Sequence, residues 1–366
     1  MSTLHIFNPS HDEALAANSP YYYPTRAART LANDLGTLPT WWAQEGDFVL
    51  LPKDVTLPNN DFSHRGIHYV HLADVKKEIA SNITSVAPWG WDALLLHQLQ
   101  QTSLSPNLLP TENELKTIRQ LSSRNTAVQL LKAVRKELPT TVGESFLATE
   151  EGQVAELIEH YGSIMLKAPW SCSGRGVFSA DGQSPEGVRL RVARILREQG
   201  AIEVEPFYER IADFALEYEA TTNGLIYKGL SVFATTAIGA YAGNIVAEDH
   251  VLLKQIPEEI REVLAQATIS LGKHLQEILK GKYTGPLGID LMCVKDKDRL
   301  ALHPCVEVNM RNTMGQVALE LRNMVSPGQT GIYRLQTIAE HSSDTLCLTP
   351  HARQMEAVLC IPHTNQ

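Results

Sequence analysis

The sequence predicts an α/β chain that becomes α+β in its C-terminal part, and three observations predict it. Short apolar segments alternate with helix-like ones at the start, a strongly helical stretch follows, and the last block is rich in strands and contains a hairpin. Strands alternating with helices predict a parallel sheet covered on both faces. Polar and apolar residues alternating at intervals of two predict strands with one buried face.

The elements follow in order. "TLHIFNP" reads as a strand ended by Asn8-Pro9, "DEALAAN" as a helix, and "YYYPTRAARTLANDLG" as helical after Pro24. "GDFVLLP" and "RGIHYVHL" read as strands, and "ASNITSVAPWG" leads from another strand into the helical "WDALLLHQLQQ". Ligands of such sheets bind beyond the carboxyl ends of the strands. That places Asn8, His11 and Asp12 at a candidate substrate mouth, although Asn8 and Asp12 serve equally as turn and helix-capping groups. Trp89, Gly90, Trp91 and Asp92 hold the matching place after another strand, where aromatic packing is the competing explanation. His64, His68 and His71 suggest a metal cluster, but on a strand His68 and His71 point to opposite faces, which argues against zinc.

"LPTENELKTIRQLSSRNTAVQLLKAVRKELP" carries Leu115, Ile118, Leu121, Ala127, Leu130 and Leu131 near helical spacing and stops at Pro139. It is expected to bridge two domains. Next come a strand at "ESFLA", a helix at "EGQVAELIEHY", the strand "SIMLKAPW", a glycine-bearing loop, the helix "PEGVRLRVARILREQG" and the strand "AIEVEPF". Strands at "ADFALEYEATTN", "LIYKGLSVFATTAIG" and "YAGNIVA" precede the long helix "PEEIREVLAQATISLGKHLQEILK". "GPLGIDLMCVKD" and "LALHPCVEVNM", separated by the charged turn "KDKDR", form the hairpin, in which Asp290 comes opposite Glu307 or Asn309.

Bulk properties exclude several classes. The chain has 366 residues, 43% hydrophobic and 20% charged, with a formal net charge of −9. That balance gives no basic footprint for nucleic acid. No apolar run has the length of a membrane span and the N-terminus lacks a signal-peptide pattern, so a cytoplasmic location is expected. Cysteines 172, 293, 305, 347 and 360 form no CxxC pair and read as reduced thiols.

Two stretches carry chemistry. In "CVEVNMRNTMG", Glu307, Asn309 and Arg311 share one strand face while Val306, Val308 and Met310 face a core. With Asp290 they make an oxygen-rich set suited to Mg²⁺; without a cation the two carboxylates would repel, unless Arg311 or a lysine lay between them. In "LKAPWSCSGRGVF", Lys167 ends an apolar strand, and Ser171, Ser173, Gly174 and Gly176 follow in a loop whose backbone N–H groups could wrap phosphate oxygens. The stretch is neither a P-loop, nor a GxGxxG fingerprint, nor a nucleophile elbow.

Taken in order along the chain, the lysine with its glycine loop, the acidic strand "IEVEPFYE", Asp290 and Glu307-x-Asn309 resemble the ATP-grasp superfamily. The likeness runs over roughly residues 85 to 325, and the first domain resembles the accompanying pre-ATP-grasp domain. It implies an α/β domain over 1–112, a linker helix and lid over 113–205, a larger antiparallel subdomain over 206–345 and a tail over 346–366, with ATP between the lid and the larger subdomain. Lys167 matches a lysine on the α and β phosphates, and Ser171 to Gly176 match the loop that closes over them. Arg124 stands where the family has its other lysine, keeping the charge but not the reach or geometry. Glu203, Glu205 and Phe207 are expected around adenine and Asp213 near the ribose, with routine sheet-edge alternation as the alternative. Asp290, Glu307 and Asn309 match the metal ligands, and Arg311 matches a residue at the reacting phosphate or acyl group.

The resemblance implies an ADP-forming carboxylate-amine ligase using ATP and Mg²⁺ (or Mn²⁺), acting on small-molecule carboxylate and amine substrates. A nucleotide-binding regulator that ligates nothing, or a phosphotransferase of the same fold, are the alternatives. "FNPSHDEALAAN", Trp89 to Asp92 and "TTAIGAYAGN" are expected to line the substrate pocket. A homodimer is left open.

Overall fold

The computed structural model describes residues 2–56, 65–171, 176–184, 186–235 and 241–361. Of the sequence expectations, His64, Cys172, Ser173, Gly174 and residues 236–240 of the "TTAIGAYAGN" stretch lie outside the described residues. The chain divides into two compact units, Met1–Ile118 with Ala242–Val251 and Arg311–Gln366, and Arg119–Tyr241 with Leu252–Met310.

The first unit opens with β1 (Ser2–Ile6), α1 (His11–Ala17), α2 (Arg26–Leu35), β2 (Phe48–Leu51), β3 (His68–His71), α3 (Lys77–Ala80), β4 (Ile83–Pro88) and α4 (Ala93–Gln100). The strands form a parallel sheet of order β3-β2-β1-β4, so the direction of winding reverses between β1 and β4. Its core gathers Leu4, Ile6, Phe48, Val70, Ile83, Leu95 and Leu99.

The helical stretch that follows is two helices, α5 (Glu112–Leu121) and α6 (Arg124–Glu137). Ser123 causes the break: its backbone is extended and its side chain accepts a hydrogen bond from the Asn125 N–H, capping α6. Serine competes in this way with helix continuation. The second unit continues with β5 (Phe146–Ala148), α7 (Glu151–Tyr161), β6 (Ser163–Lys167), β7 (Val177–Asp181), α8 (Glu186–Gln199) and β8 (Ile202–Pro206). Here the sheet order is β5-β8-β6-β7, with β7 a strand that the sequence pattern does not mark. Ile164, Leu166, Val192, Ile195, Ile202 and Val204 fill its core.

Then come β9 (Glu209–Thr221), β10 (Gly224–Thr235), β11 (Tyr241–Val246), α9 (Asp249–Leu252), α10 (Glu258–Leu279), β12 (Gly285–Asp296) and β13 (Arg299–Asn309). In the second unit the antiparallel order is β13-β12-β9-β10. Within the β12/β13 hairpin Asp290 lies opposite Glu307, and Gly288 opposite Asn309. The register then slips so that Met292 faces His303, leaving Leu291 opposite Pro304 to Val306. Pro304, which has no N–H to give a ladder, sits inside this irregularity, where a strand proline is tolerated.

The first unit is completed by α11 (Met314–Glu320), β14 (Gly331–Thr337), β15 (Thr345–Cys347) and β16 (Met355–Cys360), with β11 paired to β14. Residues from 346 onward, expected as a tail, thus supply a strand seated between β14 and β15. Buried Asp34 on α2 anchors its approach by accepting the backbone N–H groups of Arg353, Gln354 and Met355 at 2.9, 3.1 and 2.9 Å. Cys293, Cys305, Cys347 and Cys360 are free thiols. Among the described residues no helix is long and apolar enough to cross a membrane.

Replacing Asp34 by alanine strands three backbone donors and should cost about 3 kcal/mol in urea unfolding. A loss below about 1 kcal/mol would mean that the C-terminal strand does not depend on this carboxylate.

Candidate functional site

In the second unit, the backbone brings two cations against a row of carboxylates. β6 ends on Lys167, and β8 runs antiparallel beside it, with Glu203 opposite Lys167 and Glu205 opposite Met165. The Lys167 ammonium lies 2.6 Å from Glu205 Oε2. α6 begins at Arg124, whose own N–H donates to the Pro169 carbonyl at 3.2 Å and so joins the helix start to the segment after β6.

The Arg124 guanidinium spans the cluster. Its Nε donates to the Ala168 carbonyl at 3.2 Å and its Nη2 to Ser171 Oγ at 3.2 Å. Nη2 is also 3.1 Å from Glu307 Oε1, and Nη1 is 3.5 Å from Glu203 Oε2. Ser145 Oγ donates to the other Glu203 oxygen at 2.8 Å. Glu203 is fully buried and Arg124, Lys167 and Glu205 nearly so, whereas the Glu307 side chain is 29% exposed. The cluster is dry at one end and open to water at the other.

Charge and burial compete here. Burial pulls the Arg124 and Lys167 pKa values down, but the surrounding glutamates outweigh it and hold both above their ordinary values. For Glu203 burial wins over its cationic neighbours and lifts the carboxyl above its usual range. Arg124 and Lys167 face Glu203, Glu205 and Glu307, with Asp290 beyond.

Asp290 and Glu307 stand opposite each other on β12 and β13, and Asn309 Nδ2 donates to Asp290 Oδ2 at 3.3 Å. The third member is an amide; no three His, Cys, Asp or Glu side chains converge as a metal set among the described residues. A hard divalent cation fits this end, because carboxylates outnumber cations in the cluster and the ligating atoms are oxygens. A polyphosphate fits beside it, because Lys167 and Arg124 present two fixed positive charges there, the Lys167 ammonium held 2.6 Å from Glu205 and the Arg124 guanidinium 3.1 Å from Glu307.

The other expected residues are placed as follows. Glu203 and Glu205 turn their carboxylates onto Arg124 and Lys167, while Phe207 is 58% exposed. Asp213 accepts from Thr235 Oγ1 at 3.0 Å and pairs with Arg210 at 3.1 Å, and burial raises its pKa. Gly176 accepts from the Ala168 N–H at 2.9 Å. Its φ of +80° and its closeness to Ser171, whose Cβ would lie 3.0 Å from an added Cβ, both call for glycine.

His303 lies outside every sequence expectation for this region, and Cys305 is expected there only as a reduced thiol. Counting back by twos from Glu307 reaches Cys305 and His303, both buried. Burial and Lys167 push the His303 imidazole down to about 3. Its ring packs against Tyr208 at 5.4 Å and under Gly143, where an added Cβ would meet Nε2 at 2.5 Å. The two-residue spacing was the available signal.

The first unit gathers a second set of polar groups at the switch point between β1 and β4. Asn8 Nδ2 donates to the Gly90 carbonyl at 2.8 Å and to Asp92 Oδ2 at 3.0 Å. Asp92 caps α4 through the Leu95 N–H at 2.9 Å. The His11 ring is buried over Gly90, with Nδ1 3.5 Å from Asp92. Trp89 packs edge-on against Phe7 at 5.0 Å, and its carbonyl accepts the Asn312 N–H at 2.7 Å. Arg311 grips Asp12, its Nε lying 3.0 and 3.2 Å from the two carboxylate oxygens. Asp92 therefore both caps α4 and joins the network, whereas Ser10 holds the N-cap position of α1 and Asn8 joins the network while its carbonyl makes the turn by accepting the His11 N–H at 3.1 Å.

No family model matches the sequence, and no curated protein matches it. Solved structures do. An N5-carboxyaminoimidazole synthetase from Staphylococcus aureus, solved with ADP, is 12% identical with a TM-score of 0.55, covering 100% of this chain and 94% of its own. An N5-carboxyaminoimidazole ribonucleotide synthetase from Thermus thermophilus is 11% identical with a TM-score of 0.52, covering 99% and 94%. A biotin carboxylase from Campylobacter jejuni is 12% identical with a TM-score of 0.57, covering 99% and 87%. The chain has the fold of these ATP-grasp enzymes, with an N-terminal α/β domain.

The depressed His303 pKa has a measurable consequence. The imidazole takes up a proton near 6.5 when unfolded but only near 3 when folded. Its contribution to stability is therefore complete above pH 6.5 and lost as pH falls from there through 3. Between pH 7 and pH 5, the wild-type chain should lose about 2 kcal/mol more than His303→Leu in urea unfolding. Equal losses would show that the folded imidazole protonates freely.

Proposed function

We propose that the chain is an ATP-dependent ligase that activates a substrate carboxylate as an acyl phosphate with release of ADP, and passes the acyl group to an amine that displaces inorganic phosphate. The observation that carries this is the row of oxygen ligands Asp290, Glu307 and Asn309 beside the buried cations Lys167 and Arg124. The solved relatives support it: they include a synthetase with ADP, a biotin carboxylase with an ATP analogue and a carboxylase domain with MgADP and bicarbonate.

In this reading Asp290, Glu307 and Asn309 hold Mg²⁺, which when bound neutralises charge developing on the transferred phosphoryl group. Lys167 and Arg124 bind phosphate oxygens, helped by the Ser171 to Gly176 loop, and the backbone and flank of β8 at Phe207 receive the adenine. Asp213 meets the ribose hydroxyls. No side chain acts as a covalent nucleophile, so catalysis rests on positioning and fixed charge. Burial of Lys167 and Arg124 strengthens their pull on phosphate oxygens, because little water competes there.

The acyl substrate is assigned to the switch point of the first unit, which is where open α/β sheets take ligands. Asn8, His11 and Asp92 shape that end, and Arg311, held there by Asp12, is assigned to the acyl group.

Glu307→Ala should lower ADP release by about 100- to 1,000-fold, the scale of other lost transition-state charge contacts, while thermal unfolding shows a folded chain. Turnover is read across a pool of amino acids and small carboxylates with Mg²⁺. Retained ADP release in the variant overturns the metal assignment, and ADP release without a ligated product would mark phosphoryl transfer to another acceptor.

A further inference from the structure

We infer that Arg124 is an exchangeable counter-cation for Glu307: it neutralises the carboxylate until metal and nucleotide arrive together, then moves its charge onto phosphate. The inference rests on the proposed nucleotide site and adds a coupling within it. Arg124 is one buried guanidinium with contacts to two separate carboxylates, Glu203 and Glu307, and to Ser171 Oγ and the Ala168 carbonyl.

These contacts differ in kind. The Ala168 and Glu203 contacts lie at the dry end and hold the stem and one edge of the fork. The Nη2 edge instead points to the wet end, where it meets both Glu307 and the first residue of the phosphate-loop segment, Ser171. With Nε and Nη1 seated, the rigid fork keeps Nη2 in place, and its N–H groups can pass from Glu307 to an anion that arrives beside Ser171.

A divalent cation ligated by Glu307 would stand within a few ångströms of this guanidinium, and like charges at that distance oppose each other. Metal alone must therefore work against Arg124, whereas metal with phosphate gives Arg124 a new anionic partner and removes the opposition. Such a difference between states is what a coupling free energy requires, and it acts equally in both directions. A lysine has one compact ammonium on a flexible stem and cannot hold the inner partners while its outer edge changes hands; the planar fork of arginine can. The replacement of the family's lysine by arginine thereby acquires a physical consequence.

The test is Mn²⁺ binding to the full chain, read by electron paramagnetic resonance of the free ion, with and without ADP, in wild type, Arg124→Met and Arg124→Lys. Without ADP, Arg124→Met should bind Mn²⁺ at least tenfold tighter than wild type, with Arg124→Lys between them. With saturating ADP this advantage should vanish or reverse. Arg124→Lys keeps a cation against Glu203, so it reports even where Arg124→Met unfolds in a melting curve. Unchanged Mn²⁺ affinity in the folded variants overturns the exchange, and so does the same factor with and without ADP, which would mark Arg124 as a static charge. A wild-type chain that binds Mn²⁺ no better with ADP than without it overturns the nucleotide-site reading itself. Binding of Mn²⁺ with ADP by wild type alongside either of the other two results leaves that reading standing and removes only the exchange.

Discussion

The second unit is organised around the cost of keeping Arg124 and Lys167 out of water. Desolvating a charge costs several kcal/mol, of order 5 each, unless partners replace the lost water. The replacements come from separate parts of the chain: Glu203 and Glu205 from β8, Glu307 from β13, and the Ala168 carbonyl and Ser171 hydroxyl from after β6, with Ser145 before β5 donating in turn to Glu203. Each element must be in register for the others to be tolerable. The same arrangement leaves carboxylates in excess at the exposed end, so the requirement that stabilises the interior also concentrates negative charge where the proposed cation site lies.

Much of this was legible because strands write their faces at intervals of two. Glu307 and Asn309 stand out against Val306 and Val308, and the charged turn after Asp296 announces the hairpin that sets Asp290 opposite Glu307. Lys167 is visible as a cation closing an apolar strand. The acidic strand β8 was legible as alternation, but the partners of Glu203 and Glu205 were not. Their carboxylates are claimed by residues distant in sequence, and no local pattern records which distant cation wins. The slip that sets Met292 against His303 was equally hidden, since it changes register by an even step and leaves every side chain on its face.

Local competition accounts for the remaining differences in the fold. Ser122 and Ser123 sit in a run with helical spacing on both sides, and the cap offered by Ser123 outweighs one more turn of helix. Strand β7 is short and follows a glycine-rich loop, so its period is read as a continuation of the turn. The C-terminal strand β16 depends on Asp34, more than 300 residues earlier, to shape the approach to it. In the first unit, Gly90 shows another limit: its importance comes from the His11 ring resting on it, a contact made across the whole β1-to-β4 crossover.

The short gap between α5 and α6 has a consequence for how the chain can vary. Because Arg124 is the first residue of α6 and its N–H is tied to Pro169, the guanidinium is aimed by the rotational phase of the helix rather than by a flexible loop. Adding or removing one residue between Ser123 and the buried face of Ala127, Leu130, Leu131 and Val134 would turn Arg124 by about 100° about the helix axis. Glu203 would then face a different side chain. Length changes should therefore be absent from the first turn of α6, where a single added or removed residue re-aims the guanidinium.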